Sequence, residues 1–479
     1  MKQITIFALW ASGALVVVGC GGSDEGGEVV PTPSVTDTGT YPNLVLHVAA
    51  EGTVGSSLLL DASASTPASA QCQWTVLEAP EGSHELSDAE AFVARFVPAA
   101  PGSYTFQVEL GSGEGSDVAT ARVEVGCATP PELAAPKAGA RLVVSNRVSG
   151  SCADYRLSAD LVLPSGSTLE IESAVVIEVV SDVAISGNRA GLRLLGDTTS
   201  GSVELRGVDA SAGSWRGIHL EDAPEVVLRR ARVLHTGAGE AGLRLSGASS
   251  VDMSFVSFLE SSGRGIYLGS GTKVLGYEST TYGRSLETAA RIPLSLLPDI
   301  STLADTHLGS APYELVGDFL ARPAVISGEV PHYFSGAVGS TRVRVFGDLE
   351  VQPGAALWVG AGLGLEFAFA QFNLAGTAEA PISLAGAGGG EWRGLWVSTG
   401  ADVRIEHATL GGAMGPGFVD TTADITATTS TTTGGTTRLT LSSVRLEAPS
   451  GTALWADADT ELRCTSIATS GAVASGCYE

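Results

Sequence analysis

The stretch Gly217-Ile218-His219-Leu220-Glu221-Asp222-Ala223-Pro224-Glu225-Val226-Val227-Leu228-Arg229-Arg230-Ala231-Arg232-Val233-Leu234 decides the fold. Counted from Ile218, its inward apolar positions are Ile218, Leu220, Val226, Leu228, Ala231 and Val233, at offsets 0, 2, 8, 10, 13 and 15. Pairs two apart mark strands, because side chains alternate across a strand with period 2. The same offsets return as Leu243, Leu245, Val251, Met253, Val256 and Phe258, and again from Leu395 and from Leu454. Ile266, Leu268 and Val274 begin another copy, and Ile292, Leu294 and Ile300 a further one. Starts at 218, 243, 266 and 292 lie 25, 23 and 26 residues apart. A repeat of three short strands per turn with sharp corners is what a parallel β-helix requires. Leucine-rich repeats have a similar length, but their Leu-x-x-Leu-x-Leu-x-x-Asn pattern is missing. Gly217, Gly242, Gly265 and Gly394 stand before first strands, where a corner favours glycine.

A longer repeat overlies the short one. Tyr155, Leu157, Leu161, Leu163, Leu169, Ile171, Val175 and Ile177 recur 188 residues on as Val343, Val345, Leu349, Val351, Leu357, Val359, Leu363 and Leu365. Trp215-Arg216-Gly217 recurs as Trp392-Arg393-Gly394 at a shift of 177, so the later copy has lost 11 residues. The pattern reads as a duplicated cassette. Leu163-Pro164-Ser165-Gly166-Ser167-Thr168-Leu169, Val351-Gln352-Pro353-Gly354-Ala355-Ala356-Leu357, Leu374-Ala375-Gly376-Thr377 and the two Trp-Arg-Gly triplets resemble bacterial right-handed parallel β-helix proteins. That family is specific for fold and includes lipoproteins, adhesins, lyases and glycosidases, so activity does not follow from it. The Thr-rich run 421–437 is expected to be a loop thrown out from one rung.

Residues 42–127 alternate apolar and polar in short runs, which suggests a β-sandwich. Val54-Gly55, Leu60-Asp61-Ala62-Ser63, Gln73-Trp74, Phe96-Val97-Pro98 and Gly102-Ser103-Tyr104-Thr105-Phe106 resemble the PKD family of Ig-like domains. The resemblance implies a non-catalytic surface module, with Trp74 and Tyr104 in the core and Asp61 tying a turn.

Lys2 followed by uncharged Ile4–Val18 reads as an export signal, too short for the roughly 20 residues of a membrane-spanning helix. It ends Val17-Val18-Gly19-Cys20, which resembles the lipobox of bacterial lipoproteins. The resemblance implies acylation of Cys20, a lipid-bilayer anchor, and an outer-membrane or cell-surface address. The expected organisation is all-β: signal peptide 1–19, flexible tether 20–41 with lipidated Cys20, PKD/Ig-like β-sandwich 42–127, junction 128–154, and right-handed parallel β-helix 155–479 in two cassettes, 155–323 and 324–479.

With 27 Lys+Arg against 52 Asp+Glu the net charge is −25, which argues against non-specific nucleic-acid binding because phosphate is repelled. Export favours disulfides, and the expected pairs are Cys464 with Cys477 and Cys127 with Cys152, leaving Cys72 a buried thiol. The densest chemistry is Glu221, Asp222 and Glu225 beside Arg229, Arg230 and Arg232. Carboxylates of this kind hold Ca²⁺, and an arginine binds a uronate or accepts a proton, so Asp222, Arg229 and Arg230 are catalytic candidates and Glu221, Asp222 and Glu225 metal candidates. The competing reading is a solvated strand with complementary charges. No other cofactor is expected. Asp457, Asp459 and Glu461 form a second calcium candidate, His219 is a thin catalytic candidate, and Trp215 and Trp392 are candidates for stacking on sugar, with a structural corner as the alternative. The balance favours a non-catalytic surface protein in adhesion, scaffolding or glycan contact. A polysaccharide lyase or glycosidase is the alternative, and it requires the acid–arginine cluster to converge in one groove.

Overall fold

The computed structural model describes residues 42–473, apart from 82–83, 113–114, 148–151, 238–240, 284–286, 301–305, 309, 329, 413–422, 429–435, 448–451 and 470–471. The signal, Cys20 and the tether lie outside the described residues. The described chain is all-β with almost no helix and forms two units, one built from residues up to Pro131 with Asn146–Asp154, the other from Glu132–Ser145 with Tyr155 onward.

The first unit holds two four-stranded sheets. Strands His47–Val48, Leu58–Asp61, Val93–Val97 and Glu85–Ser87 form one, and Glu51–Thr53, Gly115–Gly126, Gly102–Ser112 and Gln71–Glu78 the other. Trp74, Phe96, Tyr104 and Phe106 are buried in its core. Trp74 Nε1 donates to the Ala91 carbonyl at 3.0 Å and Tyr104 Oη to that of Ala100 at 2.8 Å, so each buried ring has its polar atom satisfied. Asp61 accepts from the Ser63 amide at 2.7 Å and ties the turn.

Segment 128–154 is not one junction, because Glu132–Ser145 belongs to the second unit and Asn146–Asp154 to the first. The Cys127–Cys152 disulfide therefore lies within the first unit, with Cys152 in its core. It closes 25 residues of chain, and loop-closure entropy at that length is worth about 3.5 kcal/mol. The double variant Cys127→Ser/Cys152→Ser is expected to lower the first calorimetric unfolding transition by roughly that much at the melting temperature, leaving the second unit's transition in place. Cys464 is also disulfide-bonded, and its expected partner Cys477 lies outside the described residues. Cys72 is a buried free thiol.

The second unit is a β-solenoid. Its elements follow each other in rotation over three faces, which we call A, B and C, and in the last turns single strands such as Asp402–Gly411 run across C and A. One turn is Gly217–Glu221 on A, Val226–Arg229 on B and Ala231–Leu234 on C. Each strand pairs in parallel with its counterpart one turn away, so Ile218 stands on Leu243 and Leu243 on Ile266. The inward residues of these rungs are buried almost without remainder, and they form one continuous core. Stacking is obligatory, since a single rung has nothing to bury its apolar side against.

Corners need left-handed backbone. Gly217 has φ 92°, and a Cβ there would sit 2.2 Å from the Ala241 carbonyl oxygen. Gly242 and Gly265 lie inside strands instead, where crowding by the next rung, not positive φ, excludes a side chain. The B-to-C corner uses single non-glycine residues on successive rungs: Arg230, Phe255 and Ser279, with φ of 45°, 54° and 46°.

The cassette repeat gains a face assignment, and two expectations need correction. The two cassettes share their inward pattern but not their faces, since Leu161–Leu163 is on face A while its counterpart Leu349–Val351 is on face C. The copy is therefore rotated by one face, and the two cassettes belong to one unit. Leu294 opens no strand: Leu294–Asp299 is a 3₁₀ helix containing Pro298, and it takes the face-B place in its turn. Within 421–437, Ala423–Ala427 is a face-B strand with Ile425 fully buried, because the inward apolar residue outweighs the threonines around it.

Candidate functional site

The acid–arginine cluster does not converge. Glu221 lies on face A and accepts from Asn188 Nδ2 of the preceding rung at 3.0 Å. Asp222 stands at the A-to-B corner with φ 49° and reaches the following rung, accepting from the Ala248 amide at 2.8 Å. Glu225 turns to Arg193 of the preceding rung. Arg229 on face B pairs with Asp252 at 3.1 Å, Arg230 at the corner lies 4.9 Å over the Phe255 ring, and Arg232 on face C pairs with Glu204 at 2.8 Å. Glu221, Asp222 and Glu225 thus point along the axis in opposite senses and make no common metal shell. Asp222, Arg229 and Arg230 share no reacting centre.

These groups are links in axial ladders, which a parallel stack creates by placing outward residues on successive rungs about 4.8 Å apart. On face B, Glu170 sits between Arg141 and Arg193, and Arg193 goes on to Glu225. On face C, Arg206 bridges Glu178 and Glu204, and Glu204 goes on to Arg232. Glu461 is held between Arg438 on Oε2 and Arg463 on Oε1, whose hydrogen bonds keep its carboxyl below the ordinary range, so both of its oxygens are engaged by arginine. Among the described residues no three metal-ligating side chains come together.

Trp215 and Trp392 present no ring to a sugar: both are 0 % exposed. Trp215 Nε1 donates to the Leu234 carbonyl at 2.7 Å and Trp392 Nε1 to that of Gly411 at 2.9 Å, each 19 residues ahead. Both plug the corner behind a strand, Trp215 before face A and Trp392 before face B, so the shared triplet carries one structural device on two faces.

The row of which the sequence singled out His219 alone runs along face A, and it places His219 between Ser186 and Arg244. Backbone register places Ser186, His219, Arg244, Tyr267, Arg291, Glu314, Tyr333 and Trp358 on consecutive rungs, all outward. Arg244 and Arg291 lie 5.3 and 5.6 Å from the Tyr267 ring centroid, on either side of it. Glu314, largely buried, receives Arg264 at 3.5 Å and Arg291 at 3.6 Å. Tyr333 and Trp358 are half-buried on adjoining rungs. The sequence signal was available: His219, Arg244 and Tyr267 each follow the first inward residue of their rung.

No family model matches the chain, and no curated protein matches it. The solution structure of the PKD domain from KIAA 1837 protein is similar to part of it at 20% identity, covering 22% of this chain and 99% of that one, with a TM-score of 0.16. A likeness of that size carries no argument.

Proposed function

We propose that the chain is an exported bacterial lipoprotein, anchored through acylated Cys20 to the outer membrane or cell surface, in which a PKD/Ig-like module and a right-handed parallel β-helix contact glycan without turning it over. The observation that carries the glycan reading is the face-A row. From Arg244 to Trp358 it spans five rung steps, about 24 Å, with arginines flanking one tyrosine at its start, the arginine-tied Glu314 in the middle, and two adjacent aromatic rings at its end. Aromatic faces suit the apolar side of a sugar ring, and fixed donors suit hydroxyls and uronates. Dispersal of the acid–arginine cluster removes the convergence that a lyase reading required.

The test uses the soluble chain starting at Asn43 with acidic and neutral polysaccharides, in Ca²⁺ or EDTA. Retention, reducing ends and unsaturated-product absorbance are followed together. Retention without new ends is the expected result. Calcium-dependent product that disappears in Asp222→Ala or Arg229→Ala would overturn this reading and make the protein a lyase.

A further inference from the structure

The face-B ladder stops at strand Lys273–Glu278 and restarts at Phe319–Leu320, with the 3₁₀ helix Leu294–Asp299 between them. A short helix cannot continue the strand ladder, and at the B-to-C corner beside it opens a cleft of about 530 Å³. Its walls are apolar at Leu297, Ile300, Pro323, Val325 and Leu349, and acidic at Asp299, Asp348 and Glu350. Asp299 is neutralised by Arg322. Asp348 accepts the Gln371 amide at 2.9 Å, but neither it nor Glu350 has an ion pair among the described residues. That is a contrast with Glu170, Glu178, Glu204, Glu314 and Glu366, which are all tied to arginines on the outer faces.

Exposed apolar side chains occur on the strands and corners next to those that line the cleft. Leu275 is 70 % exposed, Phe319 54 %, Phe346 42 % and Phe369 60 %. Phe346 and Phe369 stand at the B-to-C corner on successive rungs, each two residues before a cleft-lining residue, Asp348 and Gln371. Large phenylalanine and leucine side chains left in water beside unpaired carboxylates mark a contact surface. We infer that this cleft docks a basic segment of a protein partner, with apolar side chains seated against Pro298, Pro323 and Val325 in the cleft and reaching the flanking Phe346 and Phe369, and lysine or arginine meeting Asp348 and Glu350. Charge complementarity selects that occupant: the surface offers negative charge over an apolar floor, in a chain of net charge −25. The site is separate from face A and stands whether or not face A binds glycan.

The probe is a fluorescein-labelled decapeptide of alternating lysine and leucine, titrated by anisotropy into the soluble chain, with lysine/serine and glutamate/leucine peptides beside it. Binding of the lysine/leucine peptide alone is expected. Glu350→Lys and Phe369→Ser are each expected to weaken it about tenfold or more. The first loss should fade with added salt and the second should not. Glu51→Lys makes the same charge change in the first unit and should leave binding unchanged. Equal binding by Glu350→Lys and Phe369→Ser overturns the inference, as does equal weakening by Glu51→Lys or equally tight binding of the lysine/serine peptide. Both test positions are exposed, so a melting curve suffices to show that each variant is folded.

Discussion

Trp215→Ala is expected to destabilise the solenoid by about 4 kcal/mol while leaving polysaccharide retention by the folded fraction unchanged. The ring is fully buried in the continuous core, and its removal both opens a cavity and strands the Leu234 carbonyl that Nε1 now satisfies. Trp215→Phe keeps most of the volume and loses only the donor, so about 1–2 kcal/mol is expected. In a stacked array each rung is stabilised chiefly by its neighbours, which makes the loss local before it becomes global. Hydrogen exchange should accelerate first in Gly217–Glu221 and the strands paired to it, Ala184–Asn188 and Ala241–Ser246. A variant with unchanged exchange and lost retention would put the indole on the binding surface and contradict its burial.

The rungs were legible because burial in a stack leaves a residue no choice. Ile218, Leu220, Leu243 and Leu245 face the axis, and a polar residue in their place would have no partner there. What the outward residues do was not legible, because it depends on register between rungs. Glu225 and Arg229 are four apart in sequence, yet their partners Arg193 and Asp252 belong to the turns before and after. Sequence proximity therefore suggested a cluster where the fold builds ladders. The face rotation was hidden for a related reason: inward alternation is the same on all three faces, so a copy displaced by one strand keeps its pattern. The 3₁₀ helix escaped notice because Leu294, Leu296, Leu297 and Ile300 are all buried or nearly so, and a short apolar run does not by itself separate strand from helix. The carboxylates and arginines at 221–232 drew attention by density, whereas Tyr333 and Trp358 lie 25 residues apart in sequence and meet only through pairing.

Tyr333→Ala and Trp358→Ala are each expected to weaken polysaccharide retention about tenfold, which corresponds to about 1.4 kcal/mol per ring. The two stand side by side in register at the end of the stretch that runs from Arg244. Both are half-buried, so each keeps surface for a ligand while losing little rotamer freedom on contact. Arg244→Glu acts through charge instead. It should weaken retention on acidic polysaccharide and leave neutral polysaccharide nearly untouched, with an effect that shrinks as salt rises. Trp396→Ala is the matched control, since that indole is an outward, half-buried ring on face B, held by a 3.0 Å bond from Nε1 to Thr428 Oγ1 and lying under Arg342. If Trp396→Ala costs as much retention as Trp358→Ala, contact is not confined to face A. If Trp358→Ala and Tyr333→Ala cost nothing while melting as the parent does, face A is not the contact at all. A graded loss along Arg244, Tyr267, Tyr333 and Trp358 would instead show a glycan chain lying parallel to the solenoid axis, because only that direction meets one of these rungs after another.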